Sequence, residues 1–331
     1  MGDVGERLKL MENIKSYAYD NKIIKNGWEG WEKEYSKSLK DEVFDENKRR
    51  NSCGGVYCDP DKGNIEYYTQ ICHFLNSQEQ KIIKENKRYH YCTGNYNEKA
   101  RINVCKNGKF IFCLKSDQFG FSAPTYKNKN THPYGVYYNG ADDKEEAIAN
   151  IVKWVYITRT IGGSFLWPEE EKYPQPPYNN DRGGSQHPKR SSYINDRVDL
   201  TLLEIKHFYD IKEKLKEPEY DDFIGEYKKK KPKDVLCISL GKSPNLYEWL
   251  VHFDSFNTYI KYFKFDMFTS KDGGVIDITS TEGNSLEEVD DREGIKKDFW
   301  NKKFDKVFDI LCSKIKERTR EIDESIKRKG N

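Results

Sequence analysis

No apolar run in this chain approaches the roughly 18 residues that a bilayer-spanning helix needs. The opening MGDVGERLKLMENIKSY has no apolar h-region, and Glu6 stands where a myristoylation site needs Ser or Thr. A cytoplasmic location without membrane contact is therefore expected. Nor is one sign of charge in excess, since 57 Lys and Arg face 55 Asp and Glu for a net +2. That balance argues against a whole-surface electrostatic grip on nucleic acid or anionic lipid and leaves room for a local basic patch. No internal repeat is visible, and no two cysteines stand at CxxC spacing.

The cysteines are nevertheless clustered. Cys53, Cys58, Cys72, His73, His90 and Cys92 place six potential zinc ligands within 40 residues. Four residues separate the first two, and the others are adjacent or one apart, spacings at which pairs rarely chelate one tetrahedral ion. The eight cysteines are accordingly read as reduced, mostly buried thiols, and no metal is assigned.

What the chain does have is length and aromatic mass. Its 331 residues are enough for a core that needs no disulfide or metal to hold it. Tyr, Phe and Trp make up 14% of it, which supplies the burial that a modest aliphatic content withholds and sets it apart from disordered chains. Apolar spacing predicts helices over residues 64–86, 142–157, 200–215 and 245–265, and an amphipathic helix from Asp298 onward. In Arg101–Ser116 the period changes to two, with Asn107-Gly108 between the alternating halves, which predicts a hairpin. Val235–Leu240 and Val275–Thr279 read as short strands, and residues 164–195 as a Pro-, Asn- and Gly-rich loop. The expected class is α+β: mixed helices with a small antiparallel sheet, without the alternation of a doubly wound parallel sheet. Residues 1–100 read as a helical, Cys- and Tyr-rich region packed on an α+β core of residues 101–331.

Several motif fragments fail on chemistry. Gly241-Lys242-Ser243 ends like a P-loop, but Leu236 stands where the first glycine must be, so the backbone amides cannot wrap a phosphate. Cys237 likewise replaces the first glycine of a nucleophile elbow around Ser239, with His252 a partner only by coincidence of folding. Thr279-Ser280-Thr281 with Glu287, Glu288 and Arg159 is better read as a strand end leading into an acidic loop than as a transferase site. Lys228–Lys231 reads as a solvated turn.

The segment from Arg159 to Leu202 is different. It reads RTIGGSFLWP, then NNDRGG, then DRVDLTL. Arg159, Arg182 and Arg197 each lie beside conformationally demanding residues: Gly162-Gly163, Gly183-Gly184, and the start of a helix. Asn180 and Asp196 can orient a guanidinium, and Asp199 is placed to cap the helix that follows. The guanidinium fork matches phosphate or carboxylate, so three converging arginines would make an anion site.

These three blocks resemble a widespread bacterial family of unknown function, over roughly residues 145–265. The likeness rests on Arg159, Gly162, Gly163, Trp167, Asn179, Arg182, Gly183, Asp196, Arg197 and Asp199, and departs from the family at the inserted SQHPKRSSY and in the N-terminal region. It implies a bacterial or phage setting and, with it, a defence or toxin-like role; it supplies no reaction. The functional expectation is an enzyme acting on a phosphate-bearing substrate, nucleotide or nucleic acid. Arg159, Asn179, Arg182, Arg197, Gly162, Gly163 and Gly183 would bind it, and Asp196 or Asp199 would act as general base or orienter. The alternative is a non-catalytic protein that senses a nucleotide or phage component with the same residues, or one in which these motifs only specify the fold. Cofactor and oligomeric state are left open.

Overall fold

The computed structural model describes residues 65–96, 99–119, 160–169, 198–216, 218–232, 234–241, 243–278, 283–286 and 304–327. The expected helix over 142–157 and the region before residue 65 lie outside them.

Helix α1 (Ile65–Ile82) forms where the helical spacing of Ile65, Tyr68, Ile71, Cys72 and Leu75 predicts it; it buries Tyr67, Tyr68, Ile71, Cys72, Phe74 and Leu75, and leaves Ile65 exposed. It packs on an antiparallel sheet of order β1-β2-β3-β4, formed by His90–Tyr96, Lys99–Lys106, Lys109–Gln118 and Ser164–Glu169. The hairpin between β2 and β3 closes at Lys106 opposite Lys109, with Asn107 at φ 51° and Gly108 at φ 74°. Positive φ at both central residues matches the right-handed twist of the flanking strands. Tyr67 Oη ties the helix to the sheet through Ser116 Oγ (2.8 Å) and Ser164 Oγ (3.0 Å).

Strand β4 stands where a loop was expected. Residues 161–168 are buried throughout, so no polar alternation marks them in the sequence. Pro168, opposite Leu114, is tolerated because β4 is an edge strand of this sheet.

Helix α2 (Val198–Leu215) matches expectation, and α3 (Tyr220–Lys230) follows it. The lysine run 228–230 is therefore the exposed last turn of a helix, where cations meet the negative end of the dipole. Val235–Leu240 is helix α4 and not a strand: a run of five apolar residues and one serine fits either state, and the tertiary setting decides. Glu204 Oε2 accepts the Leu236 N–H at 2.8 Å, and the Gly241 N–H reaches Cys237 O at 3.3 Å. The expected helix over 245–265 is two, α5 (Pro244–Val251) and α6 (Phe256–Phe263), broken at Asp254 (φ 58°). The expected strand at 275–279 reduces to isolated bridges, Thr269 with Val275 and Ile276 with Ser285. Helix α7 (Phe304–Lys327) closes the chain's described part and packs on α1 and on the turn before β4. One apolar cluster includes residues from all these layers, from Tyr67 to Ile322. No helix among the described residues is long and apolar enough to cross a membrane.

Candidate functional site

The first glycine pair of the Arg159–Leu202 segment forms the 3-10 turn Ile161–Gly163, buried at every residue. The Thr160 hydroxyl, one residue earlier, is 3.0 Å from that of Thr319 in α7. The Phe119 N–H donates to Gly163 O at 2.6 Å, which fastens the turn to the end of β3. The need for glycine is local and steric. A Cβ on Gly162 would lie 2.2 Å from Thr319 Oγ1 and 2.6 Å from both Ile315 O and Thr319 N. The turn presses on the backbone of α7, and only a residue without a side chain comes that close.

Arg318, also on α7, completes the attachment. Its Nη1 donates to Gly162 O (2.7 Å) and Ser164 O (2.9 Å), and its Nε to Phe263 O (2.9 Å). The guanidinium lies 3.9 Å from the Phe265 ring centroid and 5.5 Å from that of Phe119. Burial pulls its pKa from 12.5 down to about 9, so it remains a cation at neutral pH.

The other end of the segment is equally anchored. Val198, the first residue of α2, is 1% exposed and Asp199 is 0% exposed. Asp199 Oδ1 accepts the Leu200 N–H at 2.9 Å, and Oδ2 accepts the Ile278 N–H at 3.2 Å. Asp199 therefore lies inside the first turn of α2 and not at its N-cap as the sequence suggested; its carboxylate accepts one amide of that turn and pins residues 275–278 to the start of α2.

Gly162, Gly163 and Asp199 are the predicted site residues that the structure describes. Arg159, Asn179, Arg182, Gly183, Asp196 and Arg197 lie outside the described residues. Arg159 and Arg197 are each one peptide bond from a buried, hydrogen-bonded anchor, Thr160 and Val198 respectively.

The sequence reading did not find a second cluster. Glu79 Oε1 accepts from Tyr91 Oη (2.7 Å), Tyr262 Oη (2.8 Å) and His252 Nε2 (2.8 Å), and Oε2 from the Tyr89 N–H (3.1 Å). A carboxylate so placed makes Nε2 the protonated nitrogen of His252, and Nδ1 has no hydrogen-bond partner among the described residues. The Tyr89 ring stacks on the imidazole at 4.0 Å. Burial, then the neighbouring Tyr262 and Glu79, hold the Tyr91 phenol well above its ordinary value, so it stays a donor. These residues are spread over more than 180 positions, and the only sequence signal was a polar residue on the buried face of α1. A smaller pair, His207 Nδ1 to Asp234 Oδ2 at 2.9 Å, joins α2 to the start of α4, with the Tyr227 hydroxyl donating to the same oxygen at 3.1 Å.

In the cysteine-rich stretch, Cys53 and Cys58 lie outside the described residues. Cys72 and Cys92 are free thiols, and burial pushes the Cys72 thiol up to about 12. Among the described residues no group of three or more His, Cys, Asp and Glu could hold a metal ion.

A family model matches residues 58–228, about half of the chain: the protein belongs to the family of unknown function DUF6994. The match reaches further toward the N-terminus than the likeness at 145–265 and ends before α4, so all three arginine-bearing blocks fall within it. Arg318 and Thr319, which hold the first of those blocks, and His252 of the buried network fall outside it. Neither curated proteins nor solved structures gave a match.

Proposed function

We propose that the protein binds a phosphate-bearing ligand, a nucleotide or a nucleic acid, through Arg159, Arg182 and Arg197. The observation that supports this reading is the anchoring of the segment that carries them. Its two ends enter the core at Thr160–Ser164 and Val198–Asp199, and each anchor is bonded directly to an arginine. A preorganised phosphate site needs guanidinium forks presented from fixed points, and the buried residues next to Arg159 and Arg197 in sequence, Thr160 and Val198, supply two such points in this reading. Asn179, Gly162, Gly163 and Gly183 shape the loops that bring them together in this reading.

Of the two candidate carboxylates, Asp199 is read as an orienting residue and not as the general base. Both oxygens of Asp199 are engaged by backbone amides in a fully buried place, which suits an orienting role. A catalytic step would rest on Asp196 as general base. The test is thermal-shift and calorimetric titration with pyrophosphate, ATP, GTP and a single-stranded oligonucleotide. At least one should raise the melting temperature, and Arg182→Ala and Arg197→Ala should abolish that shift without lowering the melting temperature of the free protein. Variants that melt early and bind in proportion to their folded fraction would leave these arginines a structural role only. Analysis of the nucleotides after incubation separates an enzyme from a sensor.

A further inference from the structure

We infer that Cys92 and Cys105 together bind one soft monovalent cation, copper(I), on the face of the sheet opposite α1. The strand register puts them there. In the β1–β2 pair His90 faces Cys105 and Cys92 faces Asn103, so His90, Cys92, Asn103 and Cys105 share one face. Tyr91, Ile102 and Val104, which alternate with them, are buried on the other face, where Tyr91 meets Glu79 of α1. Cys92 and Cys105 are diagonal neighbours, both free thiols and both only half-buried, so an ion can reach them. Burial, then the thiol of Cys92, pushes the Cys105 thiol up, an effect that only a close neighbour exerts.

The spacing decides what the pair can do. Diagonal neighbours in an antiparallel pair stand about 7–8 Å apart, at or beyond the roughly 7 Å within which two cysteines close a disulfide without moving the backbone. Two thiolates on opposite sides of one ion make a longer bridge. At about the 2.3 Å of a zinc–thiolate bond their sulfurs lie about 4.6 Å apart, a separation that side chains so placed span. The number of ligands then selects the ion. Cys113 is on the same face, but its thiol donates to Asn103 Oδ1 at 3.8 Å, and Asn103 stands between it and Cys92. Among the described residues no third His, Cys, Asp or Glu completes a group around the pair, so a tetrahedral zinc is not served. Soft thiolates select copper(I), which two of them hold. Binding breaks two S–H bonds, forms two S–Cu bonds and releases two protons to solvent, with no change of oxidation state.

The experiment loads the full chain with copper(I) under anaerobic, reducing, thiol-free conditions against a competing copper(I) chelator, and counts the ions retained by native mass spectrometry. Cys92→Ser and Cys105→Ser should each retain one ion fewer than the wild type. The double variant should retain no fewer than either single one, because the pair shares one ion. A wild-type chain that retains no ion, full retention in either single variant, or two ions lost in the double would each overturn the inference. Iodoacetamide footprinting of the wild-type protein asks the same question without a variant. Bound copper(I) should slow alkylation of Cys92 and Cys105 together, at least tenfold. Alkylation of either at its metal-free rate refutes the shared site, even where a serine variant fails to fold.

Discussion

Replacing Gly162 with alanine tests how the family's glycine pair is held. The added Cβ would lie 2.6 Å from Ile315 O and Thr319 N, both backbone atoms of α7, and 2.2 Å from Thr319 Oγ1. Restoring ordinary contact needs a displacement of about 0.8 Å. Hydrogen bonds of 2.7 and 2.9 Å from Arg318 Nη1 would then stretch to about 3.5 Å or beyond, outside useful range. Bonds to a charged donor contribute about 1.5–3 kcal/mol each, so losing both costs about 3–6 kcal/mol. Alanine's stiffer unfolded chain returns about 0.4–1 kcal/mol. The net loss is about 2–6 kcal/mol, a large part of the roughly 5–15 kcal/mol that keeps a domain folded. Urea unfolding followed by circular dichroism measures it. Thr319→Ala in the same background removes the 2.2 Å conflict but neither 2.6 Å one, so it should recover no more than about 1 kcal/mol. A Gly162→Ala protein within about 1 kcal/mol of wild type, or full recovery in the double variant, would refute the close-approach account.

Three further outcomes follow from the same structure. Glu79→Gln keeps the volume but sets an amide among donors that all point at a carboxylate, and should cost about 2–4 kcal/mol in urea unfolding; a loss under about 1 kcal/mol would contradict the network. Asp199→Ala orphans the buried N–H groups of Leu200 and Ile278, and should cost about 2–5 kcal/mol by the same measurement, whereas a residue reserved for ligand would leave stability unchanged. Alkaline stability should fall, with a defined onset. The folded state keeps the Cys72 proton up to about 12 while the unfolded chain releases it near 9.0, so the folded form binds more protons across that window and loses up to about 1.4 kcal/mol per pH unit. Tyr91, Tyr262 and Tyr227, held well above 10.0 chiefly by burial, steepen the loss above that value. Cys72→Ala should move the onset from near pH 9 toward pH 10, and an unchanged onset would remove Cys72 from the account.

Local rules carried much of the fold. The helical spacing of Tyr68, Ile71, Cys72 and Leu75, the Asn107-Gly108 turn and the apolar stripe of α2 each encode their own element within a few residues, because backbone geometry there is a local matter. The class, α+β with an antiparallel sheet, followed from those elements, and the family was legible in blocks that the matched segment contains. Val235–Leu240 and β4 were misread because short, mostly apolar runs have no period to display. Only the tertiary structure could decide that Gly162 abuts Thr319, that Arg318 clamps the turn 154 to 156 residues away, and that Glu79 meets His252 across 173. Those contacts depend on where separate helices cross, and no pattern within one helix records which distant backbone its buried polar residue will face.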